Sequence, residues 1–543
     1  MELIKNMLKY LLILLVIVVG ALSLVGGIMF LFPNITILNF KYIANHTDEY
    51  VLFQNKAITK INVETNNYNI IIMPNSEKNV SNNTQFKIVV DNDFMGFANQ
   101  NYEIKLEIPS SSDEKEYVNV SDFNEVNFAN FYNDGEITLK LVEPTGLVSY
   151  LNSQIIFYIP ETATNIEYNV KTNAGSILFA QNSNNPSKKL STSDIDIHVS
   201  SVQGSFNLDN AKMEDGSDLV ISNYIGKVNI NSDNIGNVII DSNSGNFTFK
   251  NIGYNGFDGG NLTINGNNPY VRANTIYGDV EYDSTTGFLQ AKQINGDAII
   301  STENGIIRID KALGGIQLSN NSGETTIKQI GEADSTSKSV SINSKSGAIT
   351  LGGRVETSSD TEEQKKEPKG IYWLNNINAQ SSKIIITNLY ASESEIVTTT
   401  GSVLVNFGES DDTKNLNVET RSGAITLNNI YGKINASTQK SSKIKASFNK
   451  IATGETSTFK TIEGAIELTL PAPTDNTEKQ YNLSLKSRRN RVNVNIGNFS
   501  LTSFEGEKDS DQYYNFTRAF PQNAATTNTI SLVTNSGTLV VKE

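Results

Sequence analysis

The chain has 543 residues, no cysteine, two histidines and a formal net charge of −14. The absence of cysteine excludes disulfides, thiol catalysis and metal sites built on thiolates, and His46 and His198 are too few for a histidine metal cluster or a catalytic triad. The negative charge argues against nucleic acid or anionic lipid headgroups as main partners. The sequence therefore indicates no cofactor and no nucleic-acid partner.

An uncharged, apolar segment at residues 10–32 is the first predicted element, and Lys5 and Lys9 precede it. A helix of about 20 apolar residues crosses a hydrocarbon core of roughly 30 Å. The lysines before the segment, with Asp48 and Glu49 after it, predict that residues 1–9 are cytoplasmic and that the bulk of the chain is extracellular. A cleaved signal peptide is the alternative, but its apolar region usually has about 7–15 residues. We therefore expect a single-pass anchor in the cell membrane.

Residues 33–164 form a second predicted region, which is rich in β-strand. Alternating apolar runs lie at residues 58–73, 86–90, 102–108 and 137–142, outside the repeat that follows. The open end of a β-solenoid is an unpaired strand edge that needs cover. We expect this region to cap the first coil, and a separate small β-sandwich is the alternative.

An internal repeat dominates residues 165–543. Glycine occupies six positions nine residues apart, at 278, 287, 296, 305, 314 and 323. The positions two and four places after each glycine are mostly apolar, as in Val280 and Tyr282, which is typical of a strand after a turn. The residue two places before glycine alternates between apolar (Ile276) and polar (Thr285), so the true period is 18 residues. The pattern predicts an all-β fold, a single-stranded parallel β-solenoid with about 18 residues per coil.

The corners of this repeat carry glycine beside Asn, Ser and Asp. We expect glycine where the backbone turns with a positive φ angle, and we expect the polar neighbours to cap the turn. Interruptions near residues 181–191, 356–370, 471–480 and 506–526 predict inserted loops.

Two motifs carry a resemblance to a known family. TRSGAITLNNIYGKINAST spans residues 420–438, and SGAITL occurs at both 346–351 and 422–427. With the anchor and the β-rich lead-in, these repeats resemble the bacterial adhesin domain family of membrane-anchored surface proteins, over residues 57–543. The resemblance implies a β-helical fold and an adhesive role, and it assigns no catalytic or binding residues. The long inserts, notably 356–370, depart from the family pattern.

Acidic residues near the predicted corners raise the question of catalysis. A polysaccharide-active β-helix would hold carboxylates there, as Asp279, Glu281 and Asp297 could do. Asp279 and Asp297 are 18 residues apart, but the next position of that row is Gly315, so we interpret them as solvated corners and predict no enzyme. Residues 255–265 are a lone match to calcium-binding β-rolls, which need Asp at every corner, so we expect no calcium requirement.

Five residues are candidate ligand contacts. Tyr372 and Trp373 adjoin at a predicted loop–strand junction, where they can stack on a sugar ring. Because adjacent strand residues point to opposite faces, the alternative is that Trp373 fills a gap in the core. Arg488, Arg489 and Arg491 form a compact basic cluster that can contact an acidic wall polymer, and an exposed strand corner explains this cluster equally well.

These observations predict a membrane-anchored extracellular β-solenoid that acts as an adhesin or cell-envelope contact protein without catalysis. Its expected partners are the membrane, through the N-terminal helix, and a cell-wall polysaccharide or a surface protein. A repeating surface suits many weak contacts that add through avidity. The alternative is a sensor or scaffold paired with a membrane signalling partner, and a polysaccharide-active enzyme is a third possibility. The aromatic residues of 506–526 either bind a ligand or fix that loop to the solenoid. The sequence leaves the ligand, the handedness and the oligomeric state open.

Overall fold

The computed structural model describes residues 36–37, 40–54, 57–75, 85–98, 105–109, 116–119, 129–143, 146–150, 152–160, 162–181 and 189–543, apart from gaps at 257–258, 334, 354–369, 410–413, 452, 475–478, 523 and 525, together with the isolated positions 16, 19, 20 and 187. Among these residues no helix is both long and apolar enough to cross a membrane. The predicted anchor at residues 10–32 lies outside the described residues, except for three isolated positions.

The chain divides into two compact units. Unit 1 comprises residues 1–232 and 244–246, and unit 2 comprises residues 233–243 and 247–543. The regular structure of the described residues is almost entirely β-strand, and a short 3-10 turn lies at Ala129–Phe131. The predicted domain boundary between residues 164 and 165 stays a prediction.

The strands of unit 1 are β1 (Thr36–Ile37), β2 (Phe40–Gln54), β3 (Lys60–Thr65), β4 (Asn69–Pro74), β5 (Gln85–Ala98), β6 (Lys105–Glu107), β7 (Tyr117–Asn119), β8 (Tyr132–Asn133), β9 (Glu136–Val142), β10 (Gly146–Tyr150), β11 (Gln154–Ile159), β12 (Ile166–Thr172), β13 (Ile177–Phe179), β14 (Leu190–Val199), β15 (Ser205–Asn207), β16 (Ala211–Met213) and β17 (Leu219–Ile230).

The first coil of unit 1 lies inside a stack of parallel strands and not at its end. β3 pairs in parallel with β12 on one side and with β9 on the other, and β4 pairs in parallel with β13 and β11. Antiparallel strands lie outside these, because β6 pairs with β9 and β5 pairs with β11. The outer edge of the parallel stack is therefore covered, which removes a template for aggregation.

Glu143 is buried directly after β9 and holds the turn between β3 and β4. Its carboxylate accepts hydrogen bonds from the backbone N–H groups of Asn66 (2.7 Å) and Asn67 (2.9 Å) and from Asn67 Nδ2 (2.8 Å). Burial raises the pKa of Glu143, and these hydrogen bonds oppose the rise. Glu143 therefore stabilises the turn between β3 and β4, and this contribution to stability depends on pH because the carboxyl group is buried.

The strands of unit 2 are β18 (Val238–Ile252, of which residues 244–246 belong to unit 1), β19 (Leu262–Gly266), β20 (Asn268–Ile276), β21 (Val280–Ser284), β22 (Phe288–Ile294), β23 (Ala298–Thr302), β24 (Ile306–Ala312), β25 (Ile316–Asn320), β26 (Thr325–Ile327), β27 (Val340–Ser344), β28 (Ile349–Leu351), β29 (Asn376–Ala379), β30 (Ile384–Leu389), β31 (Glu393–Thr398), β32 (Val403–Phe407), β33 (Lys414–Thr420), β34 (Ile425–Thr438), β35 (Ile444–Ile451), β36 (Thr456–Thr461), β37 (Ile466–Thr469), β38 (Tyr481–Ser487), β39 (Val492–Ile496), β40 (Phe499–Leu501), β41 (Tyr514–Phe520), β42 (Thr529–Thr534) and β43 (Leu539–Lys542).

Two parallel ladders run through the repeat of unit 2, and each takes one strand from every coil. In one ladder β21, β23 and β25 pair in register, so Val280, Ala298 and Ile316 are neighbours on successive coils. In the other ladder β22 pairs with β24, and Leu289 faces Ile307. All five side chains are at most 2% exposed. The fold is therefore all-β, mostly parallel and solenoid-like, and the aliphatic row predicted at every 18th residue is confirmed here.

Longer coils keep the same inward register. Ile316 pairs with Val340, and Ile342 pairs with Ile377 across the gap at 354–369. All four side chains are buried. Extra residues are therefore accommodated between strands without shifting the apolar row.

The glycines of the repeat are needed for close packing between coils. None of the six spaced glycines between residues 278 and 323 has a positive φ angle. A Cβ atom on Gly323 would overlap the carbonyl oxygen of Gly305 in the preceding coil, and one on Gly314 would overlap that of Gly296. The prediction of a positive φ at these corners is therefore wrong. A side chain is excluded because the backbones of successive corners touch.

A buried polar side chain three places before glycine completes the polar corner. Thr398 Oγ1 accepts a hydrogen bond from the N–H of Gly401 at 3.1 Å, and Asn320 Oδ1 accepts one from the N–H of Gly323 at 2.9 Å. Both side chains are buried. This position is not among the residues predicted to matter from the sequence, although its signal, Thr, Ser or Asn three places before glycine, recurs along the repeat.

The C-terminal coil of unit 2 also lies inside its stack. β42 pairs in parallel with β36 on one side and β38 on the other, and β43 lies in the same way between β37 and β39. β41 and β40 then pair antiparallel with β38 and β39. We call residues 499–520 the C-terminal cap, because they cover the outermost coil at residues 481–496. The predicted insert 506–526 thus contains a strand, β41.

Candidate functional site

The acidic corner residues have a structural role. Asp279 Oδ1 accepts a hydrogen bond from the backbone N–H of Asp297 at 2.8 Å, and Asp297 Oδ1 accepts one from the N–H of Gly315 at 2.7 Å. Asn261 begins the same series, since its Oδ1 accepts the N–H of Asp279 at 2.7 Å. Each carboxylate therefore links its corner to the next coil while it stays exposed to solvent.

The structure separates the two aromatic candidates. Trp373 is only 5% exposed, and its indole ring lies against the backbone of Gly331. Tyr372 is half-buried and stacks on Tyr390, with ring centroids 4.9 Å apart and an interplanar angle of 10°. Trp373 thus occupies the core position that the alternative interpretation gives it, whereas Tyr372 and Tyr390 form a stacked pair near the surface. Ligand contact by either residue stays a prediction.

Arg488, Arg489 and Arg491 lie together in the exposed turn between β38 and β39. We call residues 488–491 the arginine corner. None of the three arginines forms an ion pair with any described residue. The guanidinium group of Arg488 lies over the ring of Tyr513, at 4.8 Å from its centroid. The structure therefore brings the three predicted basic contacts to one place.

Two polar side chains fix the backbone of the arginine corner. Ser487 Oγ donates to the carbonyl oxygen of Arg489 at 2.8 Å and accepts from its N–H at 3.2 Å. Asn490 Nδ2 donates to the carbonyl oxygen of Phe504 at 3.3 Å, and Asn490 Oδ1 accepts the N–H of Phe504 at 2.6 Å. These bonds join the corner to the C-terminal cap without using an arginine side chain.

A hydrogen-bonded loop positions Tyr513 beside this corner. Asp509 Oδ1 accepts the N–H of Tyr513 at 2.8 Å, and Asp509 Oδ2 accepts Asn515 Nδ2 at 2.8 Å and lies 3.3 Å from Lys486 Nζ. The hydrogen bond from Asn515, with those from Tyr513 and Lys486, lowers the pKa of Asp509 to about 2. The Tyr513 hydroxyl donates to Asn535 Oδ1 at 2.5 Å, so both ends of the tyrosine are fixed.

Arg518 on β41 packs between aromatic rings of the C-terminal cap. Its guanidinium group lies 4.1 Å from the ring centroid of Phe499 and 5.7 Å from that of Phe520. Phe499 also stacks on Phe516, with centroids 5.7 Å apart. Phe520 also contacts Tyr481 of the outermost coil, with ring centroids 5.7 Å apart, so aromatic residues of this late insert fix the cap to that coil.

A row of short polar side chains runs along the outward face of one ladder of unit 2. Its members are exposed and lie in register on six successive strands. We call this set the polar row: Asn265, Asp283, Ser301, Ser319, Asn343 and Asn378. Because neighbouring strands lie about 4.8 Å apart, the row presents hydrogen-bonding groups at a regular spacing. No sequence motif singled it out, since its members differ in residue type.

Two shallow polar grooves lie on unit 2. The first has a volume of about 520 Å³ and runs beside the polar row, where Asn267, Thr285 and Glu303 line it. The second has a volume of about 360 Å³, and Asn375 and Lys433 are among its lining residues. Their linings suit hydroxyl-rich ligands better than apolar ones.

Comparison of the chain with protein-family models, with curated proteins and with solved structures gives no significant match. The resemblance to the adhesin domain family therefore rests on the repeat motifs. In the part of the chain that the structure describes, no three His, Asp or Glu side chains come together in a group that could hold a metal ion.

Proposed function

We propose that the protein is a membrane-anchored extracellular β-solenoid that contacts the cell envelope or another surface and catalyses no reaction. The polar row is the observation that supports this best, because it repeats similar hydrogen-bonding groups on six successive strands. The apolar segment at residues 10–32 supports the anchor.

A repeated surface suits a repeated ligand. A single hydrogen bond contributes about 0.5–1.5 kcal/mol net, so one member of the polar row alone binds weakly. When several contacts belong to one polymer, the later contacts form at a high effective concentration, and avidity exceeds a single contact by about 10²–10⁴-fold. A hydroxyl-rich linear polymer, such as a cell-wall polysaccharide, offers hydrogen-bonding groups repeatedly along one chain and can therefore make several such contacts.

The backbone of the polar row is held on both sides by parallel strands. The strand that carries Ser301 pairs with the strands of Asp283 and Ser319, so its position is fixed before any ligand binds. Short side chains such as Ser and Asn also lose little rotamer entropy on binding. Both features lower the cost of forming many contacts at once.

Two measurements test the proposal. The full chain with a C-terminal epitope is expressed in a bacterium, and external protease is added to intact cells; the proposal expects a membrane-associated protein whose epitope is removed. The purified full chain in detergent micelles is then mixed with isolated cell walls and sedimented, and the proposal expects it in the pellet.

A matched pair of variants locates the contact on the polar row. The test variant removes three members at once: Ser301→Ala, Ser319→Ala and Asn343→Ala. The control removes three exposed polar side chains elsewhere in unit 2: Ser392→Ala, Thr399→Ala and Thr453→Ala. We expect sedimentation to fall at least about tenfold for the test variant only, as loss of avidity requires. A protected epitope, or a wild-type chain that stays in the supernatant, contradicts the proposal.

A further inference from the structure

The arginine corner is a concentration of positive charge on a chain whose net charge is −14. Several exposed lysines of unit 2 are paired with carboxylates: Lys328 Nζ lies 2.6 Å from Asp310, and Lys443 Nζ lies 2.5 Å from Glu467. The three guanidinium groups at residues 488–491 have no such partner among the described residues. Their charge is therefore available to a ligand.

The fold does not need these three side chains. Ser487 and Asn490 make the hydrogen bonds that fix the turn, and the arginines contribute only backbone atoms to it. Arg488 additionally lies over the ring of Tyr513, which holds its guanidinium group near one orientation. A turn of this shape could be built with neutral residues, so the charge itself requires another explanation.

The local balance of charge is positive. Residues 486–518 contain six basic residues (two Lys and four Arg) and four acidic ones (two Glu and two Asp), a difference of +2. Asp509 and Lys486 pair with each other, which removes one charge of each sign and leaves the difference at +2. Because the Debye length is about 8 Å at physiological ionic strength, acidic residues farther away are largely screened from this surface.

Arginine is the side chain best suited to phosphate and carboxylate groups, because its planar fork donates two parallel hydrogen bonds to either. Three such forks on one turn fit successive anionic groups of a chain better than one small anion. We propose that the arginine corner, with Tyr513 and the C-terminal cap, binds a linear polyanion whose repeating groups are phosphates or carboxylates. This inference rests on the proposed contact function, for which it names one class of partner.

The test is a calorimetric titration of the purified full chain in detergent micelles with three soluble polymers: long-chain polyphosphate, polygalacturonate and neutral dextran. The test variant is R488Q/R489Q/R491Q. The control, R421Q/K440Q/K460Q, removes the same charge from exposed residues elsewhere in unit 2. We expect the test variant to weaken polyanion binding at least about tenfold and the control to weaken it less than about twofold.

The two polyanions identify the source of the anionic group. Tighter binding of polyphosphate indicates a phosphate polymer, tighter binding of polygalacturonate indicates a uronic-acid polymer, and either result supports the inference. Equal weakening in both variants, dextran binding that the R488Q/R489Q/R491Q variant weakens as much as polyanion binding, or no binding of either polyanion by the wild-type chain overturns it. The variant with Ser301→Ala, Ser319→Ala and Asn343→Ala should bind polyphosphate, which has no hydroxyl groups along its chain, as tightly as the wild-type chain does. Wall sedimentation that depends on the polar row but not on the arginines would leave the contact function standing without this site.

Discussion

The steric role of the corner glycines can be tested at Gly323 by the substitution Gly323→Ala. A Cβ atom there would overlap the carbonyl oxygen of Gly305 and lie 2.6 Å from its carbonyl carbon and 2.9 Å from Asn320 Oδ1. Two of these three atoms belong to the backbone of the preceding coil, so no side-chain rotation relieves the overlap. The corner itself must move.

The cost of that movement follows from the bonds that it disturbs. The N–H of Gly323 donates to Asn320 Oδ1 at 2.9 Å, and the N–H of Ser322 donates to the carbonyl oxygen of Glu303 at 2.9 Å. Two such bonds contribute about 1 kcal/mol each, and overpacking adds about 1–3 kcal/mol. Alanine also stabilises the fold by about 0.5–1 kcal/mol because it restricts the unfolded chain. The free energy of unfolding should therefore fall by about 3 kcal/mol in total.

Gly506→Ala is the matched control, because its φ is +87° and a Cβ atom there meets nothing within 4 Å. Backbone strain alone should cost it about 1 kcal/mol. Urea unfolding followed by the fluorescence of Trp373, the only tryptophan and only 5% exposed, measures both variants in unit 2. A Gly323→Ala variant that is as stable as the wild-type chain, or that loses no more stability than Gly506→Ala, would show that Gly323 has no steric role.

Three further predictions concern the core, a corner and the buried glutamate. Ile307→Asp should destabilise unit 2 by about 4 kcal/mol or more in urea, because it buries a charge at a site that is 0% exposed, whereas Ile299→Asp, at 54% exposure, should cost less than about 1 kcal/mol. Asp297→Ala should cost about 1 kcal/mol in the same assay through the lost acceptor for the N–H of Gly315, and Asp297→Asn, which keeps that acceptor, should match the wild-type chain. Burial raises the pKa of Glu143, so the stability from its bound proton is complete below the unfolded pKa and is lost as pH rises through the folded pKa. The melting temperature of Glu143→Gln should therefore rise relative to that of the wild-type chain as the pH increases above the ordinary carboxyl pKa of about 4.3, and a difference that is constant with pH would contradict this assignment.

Much of the fold could be predicted because an inward row repeats the same physical requirement in every coil. Val280, Ala298 and Ile316 must all be apolar to share one buried row, and that requirement is visible in the sequence as a fixed spacing. The reason for glycine was not visible, because a corner glycine at positive φ and one that touches a neighbouring backbone look alike in a sequence. Only the position of Gly305 above Gly323 distinguishes them.

The candidate site was predicted in part. The arginine corner could be found because its residues adjoin in the chain, and Trp373 could be recognised as a core or a ligand residue but not assigned to one. Tyr513 could not be placed beside Arg488 from the sequence, because the two residues are 25 positions apart and only the antiparallel pairing of β38 with β41 brings them together. The polar row could not be predicted from the sequence either, because its members are different residue types that lie on six separate coils.

The order of coils at each end of the chain follows from local turns that the periodic pattern does not contain. Leu485 and Leu532 occupy the same buried row and pair in register, so exchanging their coils would leave that row unchanged. The hairpin loop of Gly497 and Asn498 determines which of the two coils is outermost. It turns β40 back onto the outer edge of β39. A coil with that edge occupied cannot accept another coil, so the C-terminal coil is placed on its inner side.

Unit 1 uses the same solution. Asp134 and Gly135, with φ angles of 45° and 92°, form a hairpin that turns β8 onto β9, and the coil of β3 and β4 lies inside it. An Asp-Gly or Gly-Asn pair beside an apolar strand is a local signal that marks the outermost coil of the stack, which the repeat alone does not identify. Each outermost coil is thus the one whose own hairpin covers its edge, and the terminal segments of the stack are held by parallel strands on both sides.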